Sequence, residues 1–284
     1  MEDLLILLLI IFGPCIAMFI LLYAVYRFHL SGIGQEFRAF YFNRVKWNTS
    51  ITRKQYHEID VILNRRISFY KNLSDNGKAK FINRLCHLLS IKKFEAKKDL
   101  VLTDEIKIVI CAAMVQVTFG LLEYRLDNIK GFNVYPSIFY NSIIKKYLKG
   151  GTPPEGMMSL SWKDFEHGFL IDNDRYNLGL HEMAHALKLS LTHAYDFDVR
   201  FASYLAKWEK LGHVEFFKMR QGHKSFLRKY GGVNEHEFFA VCIEHFFEVP
   251  QQFQYNLPKI FYHLCILLNL DPLNYKHDYL IVKH

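Results

Sequence analysis

The sequence predicts an α+β domain dominated by helices, with a small sheet, preceded by one membrane-spanning helix. Three observations predict it. Apolar residues recur at helical spacing over most of the chain, two short segments bounded by Gly and Pro read as strands, and residues 4–26 carry no charge at all. The composition agrees. With 51% hydrophobic and 16% aromatic residues among 284, the chain is too apolar for disorder, and a single long uncharged run excludes a multi-span membrane protein.

The first element is the run LLILLLIIFGPCIAMFILLYAVY. As a helix it would reach about 34 Å at ~1.5 Å per residue, enough to cross a hydrocarbon core of roughly 30 Å. A cleaved signal peptide opens with basic residues and closes on small ones. Here the opening holds Glu2 and Asp3, and the run ends in bulky Tyr23, Val25 and Tyr26, so the segment 1–27 is expected to stay as an anchor. Arg27, Arg38, Arg44 and Lys46 follow it, opposed by Glu36 alone, which by the positive-inside rule keeps the body in the cytoplasm. Cys15, Cys86, Cys111, Cys242 and Cys265 are scattered without CxxC spacing and suggest neither a disulfide framework nor a thiolate zinc site.

Residues 28–51 show no period and read as a connector. The body then spans 52–275, with a short tail at 276–284. Tyr56, Ile59, Leu63, Ile67 and Tyr70 repeat at helical spacing, as do Phe81, Leu85 and Leu88, and Ile106, Ile110 and Met114 after a start at Thr103. GFNVYP at 131–136 reads as a strand, and the break GGTPPEG at 150–156 separates it from a second, alternating strand, MMSLSW. Helices are expected over about 174–190, 198–211, 235–248 ahead of Pro250, and 257–268.

The net charge of +8 is unevenly placed. Residues 1–26 contribute −2, residues 27–100 contribute +10 from 16 basic and 6 acidic side chains, and residues 101–284 contribute zero from 20 of each. A basic block beside an apolar span marks membrane topology and a surface for anionic lipid. It lacks any nucleic-acid recognition motif, so no nucleic-acid partner is expected.

The residues that carry chemistry are His181-Glu182-Met183-Ala184-His185. Histidines four apart share one helix face and can present two imidazole nitrogens to one ion, with Glu182 beside them as a base rather than a ligand. Zinc held by two His and one carboxylate keeps an open position for a water, which Glu182 could deprotonate for attack on a peptide carbonyl. The longer pattern HExxHxxGxxH is excluded by Lys188 and Leu191. The third ligand must therefore come from a later carboxylate, and spacing leaves Glu237, Glu244 and Glu209 open. Glu237 has a competing reading as the end of a capping box begun by Asn234.

With these elements in order, the HEMAHAL helix, the later NEHEFFAVCIEHFF helix, GMMSLSW and GFNVYPSIF, the chain resembles the MtfA-like zinc peptidases, from about residue 52 to about residue 270. The resemblance implies a zincin-like domain of the gluzincin type. His181, His185 and Glu237 would be the zinc ligands, Glu182 the base, and Tyr230 a phenol near the zinc able to steady an oxyanion. It makes Glu244 a support for one of the histidines, and GMMSLSW the edge strand to which an extended peptide adds. It further implies a peptide or protein substrate. The Asp usual in that family shortly after the second His is absent, since 186–189 read Ala-Leu-Lys-Leu. The other reading of the same fold is a non-catalytic protein that uses the zinc site to tether a cytoplasmic regulator at the membrane.

Overall fold

The computed structural model describes residues 16–25, 27, 51–193 and 199–281, and every statement below concerns these. Residues 16–25 are helical, with Ile16, Phe19, Leu21 and Tyr23 more than half exposed. The rest of the expected span 4–26 lies outside the described residues, and so does nearly all of the connector. Among the described residues no helix is long and apolar enough to cross a membrane.

The body opens with α1 (Arg53–Arg66), started by Thr52 in a capping box with Gln55. The helical period expected through Tyr70 is interrupted at Ile67, whose extended backbone separates α1 from the single turn α2 (Ser68–Lys71). α3 (Asp75–Ile91) and α4 (Asp104–Val117) follow, capped by Ser74 and Thr103. α4 is buried almost all round, from Ile108 to Val117, and forms the centre of the core.

The basic block of the sequence is partly internal. Arg84 on α3 donates to the carbonyls of Thr118, Phe119 and Leu121 at 3.0, 3.2 and 2.9 Å, and Lys92 donates to those of Leu126 and Ile129 at 3.2 and 2.6 Å. These cations donate to carbonyls of the segment that follows α4 and leads into the sheet. Only part of the +10 is therefore a solvated face.

The main sheet has four strands in the order β1-β2-β6-β5. β1 (Lys93–Ala96), β2 (Ile129–Tyr135) and β6 (Gly156–Ser161) run parallel, with Phe132 opposite Met158 and Val134 opposite Leu160. Both expected strands are thus present. β6 is not the sheet edge, however. The two-residue strand β5 (Gly150–Gly151) pairs antiparallel with it, Gly150 opposite Leu160 and Gly151 opposite Ser159. Two glycines leave no side-chain pattern from which pairing can be read, which is why the sequence showed only a break there. A separate hairpin, β3 (Phe139–Asn141) and β4 (Lys146–Leu148), precedes it.

α5 (Trp162–Leu170), started by Ser161, is a helix that the sequence reading did not separate from its preceding strand. α6 (Leu178–His193) carries the two histidines; α7 (Val199–Arg220) is longer than the expected 198–211. α8 (Glu235–Glu248) has the expected bounds, between the Asn234 cap and Pro250. α9 (Pro250–Asn256) and α10 (Pro258–Leu268) each start on a proline, whose missing N–H costs nothing in a first turn. The tail folds back on the body. Tyr279 stacks on Phe69 at 4.0 Å and donates to its carbonyl at 3.0 Å, while Asp278 accepts from the Ser74 amide at 2.7 Å and hydroxyl at 2.6 Å.

Candidate metal centre

α6 does not begin at Asp174. Asp174 makes a turn by accepting from the Tyr176 amide at 2.9 Å, and Asn177 then caps the helix, its Oδ1 accepting from Leu180 N at 3.0 Å. That start, with Met183, Ala184, Ala186 and Leu187 fully buried, turns His181, Glu182 and His185 towards α8 and the glycine strand. α8 approaches from the other side. Asn234 Oδ1 accepts from the amides of His236 and Glu237 at 2.9 and 3.0 Å, which is half of a capping box. The second half is missing because the Glu237 side chain points instead to the histidines.

There, Glu237 Oε2 lies 2.9 Å from His181 Nε2 and 3.4 Å from His185 Nε2, and the two imidazole nitrogens are 3.1 Å apart. One atom from each of the three residues falls within 4.8 Å of the others, the set that could hold a metal ion. The fit is more than proximity. Glu237 Oε2 is buried close to both ring nitrogens without a well-aligned hydrogen bond from either. A buried carboxylate oxygen beside two imidazole nitrogens is the donor set of a four-coordinate zinc with one position open, the imidazoles binding in their neutral form. The charge balance asks for a cation at the same point. Burial opposes charge on His181, but the carboxylates of Glu237 and Glu244 outweigh it and push its pKa up to about 10. Burial likewise opposes charge on Glu237, and the two imidazoles outweigh it and hold the carboxyl below the usual range.

Glu244 is almost wholly buried, two turns along α8. Its Oε1 accepts from His181 Nδ1 at 2.8 Å and from Arg228, and its Oε2 accepts from the Asn177 amide at 2.8 Å. A carboxylate can only accept, so Nδ1 carries the hydrogen and Nε2 is left free to face the centre. Glu209 is elsewhere, partly exposed and paired with Lys188 at 2.7 Å. Of the three carboxylates that spacing left open, geometry brings Glu237 to the histidines, puts Glu244 behind one of them, and removes Glu209.

Glu182 is buried beside the cluster. Thr152 donates its hydroxyl to Glu182 Oε2 at 2.6 Å, fixing the carboxylate. On the other side a Cβ on Gly150 would sit 2.3 Å from Glu182 Oε1, so only glycine lets β5 pass this close. Tyr230 stands on a single 3-10 turn (Lys229–Gly232), half exposed, its ring 5.8 Å from that of His181. Burial, and then the charges of Glu237 and Glu182, raise its pKa, so the phenol keeps its proton. A cleft of ≈ 370 Å³ opens onto the site, walled by Tyr147, Leu148, Lys149, Tyr176 and Arg228. Thr152, Asn177 and Arg228 were not found from sequence. Their roles come from positions 16 to 67 residues from their partners, and nothing local signals them.

Residues 43–267 match the family described as glucose-regulated metallo-peptidase M90. An uncharacterized protein of Synechocystis sp. is 25% identical over 233 residues, covering 75% of this chain and 83% of its own. Mlc titration factor A of Yersinia pestis, like that of Yersinia pseudotuberculosis, is 24% identical over 219 residues, covering 71% of this chain and 80% of its own. The match spans most of the chain, and the chain belongs to the glucose-regulated metallo-peptidase M90 family.

Proposed function

We propose that this M90 family member is a zinc-dependent peptidase held at a membrane by residues 4–26, with its cleft on the cytoplasmic side. One observation carries the catalytic part: His181 Nε2, His185 Nε2 and Glu237 Oε2 converge next to the fixed carboxylate of Glu182. Zinc held by those three atoms would supply Lewis-acid chemistry that makes water a competent nucleophile near neutral pH. The chain's own residues do the rest. Glu182 takes the proton of the attacking water and returns it to the leaving amine. Thr152 keeps that carboxylate in place, and Glu244 keeps His181 in the tautomer that leaves Nε2 free. Tyr230 donates a hydrogen bond to the oxyanion as it forms. Leu148, Tyr147 and Tyr176 give the cleft an apolar wall suited to a peptide side chain.

Membrane attachment is supported by the uncharged run itself, by the basic residues that follow it, and by the exposure of Ile16 to Val25. A second reading, tethering of a regulatory protein through the same site, is supported by the relatives named Mlc titration factor A, a name that refers to another protein. One pair of proteins separates the two. Glu182→Gln should keep one zinc per chain by elemental analysis and lose ~10²–10⁴-fold in hydrolysis of a peptide library. Equal hydrolysis by both proteins, or failure of the wild type to bind stoichiometric zinc, would sink the enzymatic reading. A retained metal with no hydrolysis by either would favour tethering.

A further inference from the structure

The hairpin β3–β4 is an exposed, apolar and basic finger that the proposed chemistry does not use. Ile143 at its tip is 88% exposed, Tyr147 71%, and Tyr140, Ile144 and Ile138 about half. From Pro136 to Gly151 the chain carries Lys145, Lys146 and Lys149 and no acidic residue. Large apolar side chains gathered at an exposed turn mark a surface that meets something.

The finger is also built in advance. Three residue pairs join its strands, from Phe139 with Leu148 to Asn141 with Lys146. Asn141 Oδ1 accepts from the amides of both Ile143 and Ile144, at 3.0 and 3.2 Å, and so fixes the turn. Tyr140 and Tyr147 meet edge to face at 5.3 Å across the ladder. Ile143 and Ile144 are thus held out at the tip with little ordering left to lose on contact.

We propose that this finger inserts its tip into the interface of an anionic lipid bilayer. Charge complementarity selects that occupant. Ile143, Ile144 and the two tyrosines supply what the acyl boundary takes, and Lys145 and Lys146 lie beside them where anionic headgroups sit. A second copy of the chain is disfavoured, because a symmetric contact would set these lysines against one another. A substrate peptide is disfavoured too. Tyr147, Leu148 and Lys149 face the cleft, but Ile143 and Ile144 do not line it. In a chain anchored as proposed above, the finger is a second point of attachment. Because β4 forms both the finger and one wall of the cleft, the zinc cleft then faces peptide segments presented at the bilayer surface. That last clause rests on the peptidase reading; the lipid contact does not.

The test uses the full chain with Cys15 replaced by Ala, since the other four cysteines are buried. Ile143→Cys carries an environment-sensitive fluorophore, and Tyr255→Cys, at an 87% exposed position on α9, serves as the comparison. Both are reconstituted into nanodiscs of phosphatidylcholine with added phosphatidylglycerol, with and without spin-labelled lipid. The label at 143 should shift to the blue and be quenched ~2-fold or more by the spin label, and Lys145→Glu with Lys146→Glu should abolish both changes. Quenching at 143 no greater than at 255 overturns the proposal. So does a label at 143 that responds to added peptide and not to lipid. A chain that does not enter nanodiscs defeats the anchor alone, and the same labels read against added vesicles of that composition then decide the finger.

Discussion

Glu244 and Glu248 lie one turn apart on α8, both buried, and the protein treats them in opposite ways. Glu244 is matched on every side, by His181, Arg228 and the Asn177 amide. Glu248 faces a cleft behind α6, and neither of its carboxylate oxygens makes a well-aligned hydrogen bond. Burial pushes its pKa up to about 8; the nearby Asn177 side chain and Arg175 backbone offset only part of that, and the charges of Asp174 and Glu244 add to it. The pair shows that partners, not depth, decide whether the charge of a buried carboxylate is compensated. On the matched side, charge is built to orient a metal ligand. Behind it, the same side chain is a pH-dependent cost.

Breaking the matched side should have the largest effect. Glu244→Ala takes away the acceptor of His181 Nδ1–H, and zinc affinity should fall ~10–100-fold in a competition titration with a chelator. It also leaves Arg228 facing the site unpaired, for a loss of up to ~3 kcal/mol in chemical denaturation. Adding Arg228→Met should restore most of the stability and none of the affinity. If the double variant also recovers zinc binding, Glu244 orients nothing and merely balances charge.

A smaller, pH-dependent effect is expected behind α6. The folded pKa of Glu248 is raised, so between about 4.5 and about 8 the folded state keeps a proton that the unfolded state has lost. Stability should therefore fall as pH rises through that window, by up to roughly 1.4 kcal/mol per unit, and level off above it. Glu248→Gln should remove this slope, making the variant more stable than wild type at pH 8 and little different at pH 4.5, with metal content unchanged. Melting curves across that range check it; parallel curves for the two proteins would mean that Glu248 finds a partner. The smallest change is expected at the start of α8. Asn234→Ala removes acceptors for two amides and should cost ~1 kcal/mol in denaturation. Because Asn234 also fixes where Glu237 begins, a modest loss of zinc affinity should accompany it.

Much of this site could be read in the sequence because its parts are local. His181 and His185 sit four apart on one helix, and Asn234 and Pro250 mark the ends of α8, so the helices that carry the ligands were found. The third ligand was narrowed by spacing only to three carboxylates. Choosing among them needs the packing of α8 on α6, which no short-range pattern encodes. The same holds for the edge of the sheet. Gly150 and Gly151 read as a break, yet they pair with β6, and at Gly150 a side chain would run into Glu182. The charge block misled in part for a related reason, since Arg84 and Lys92 serve buried carbonyls brought close by the turn after α4.

The folded-back tail sets a schedule. Asp278 accepts from the amide and hydroxyl of Ser74, the residue that caps α3, and Tyr279 covers Phe69, so the first helices of the body are tied to a segment 204 residues further along for the Ser74–Asp278 pair. At ~5–20 residues per second, Asp278 is made about 10–40 s after Ser74, and the cap of α3 lacks this partner until then. An anchor at the other end would have entered the membrane long before. The nascent body would thus close this corner only after Asp278 and Tyr279 have been synthesised.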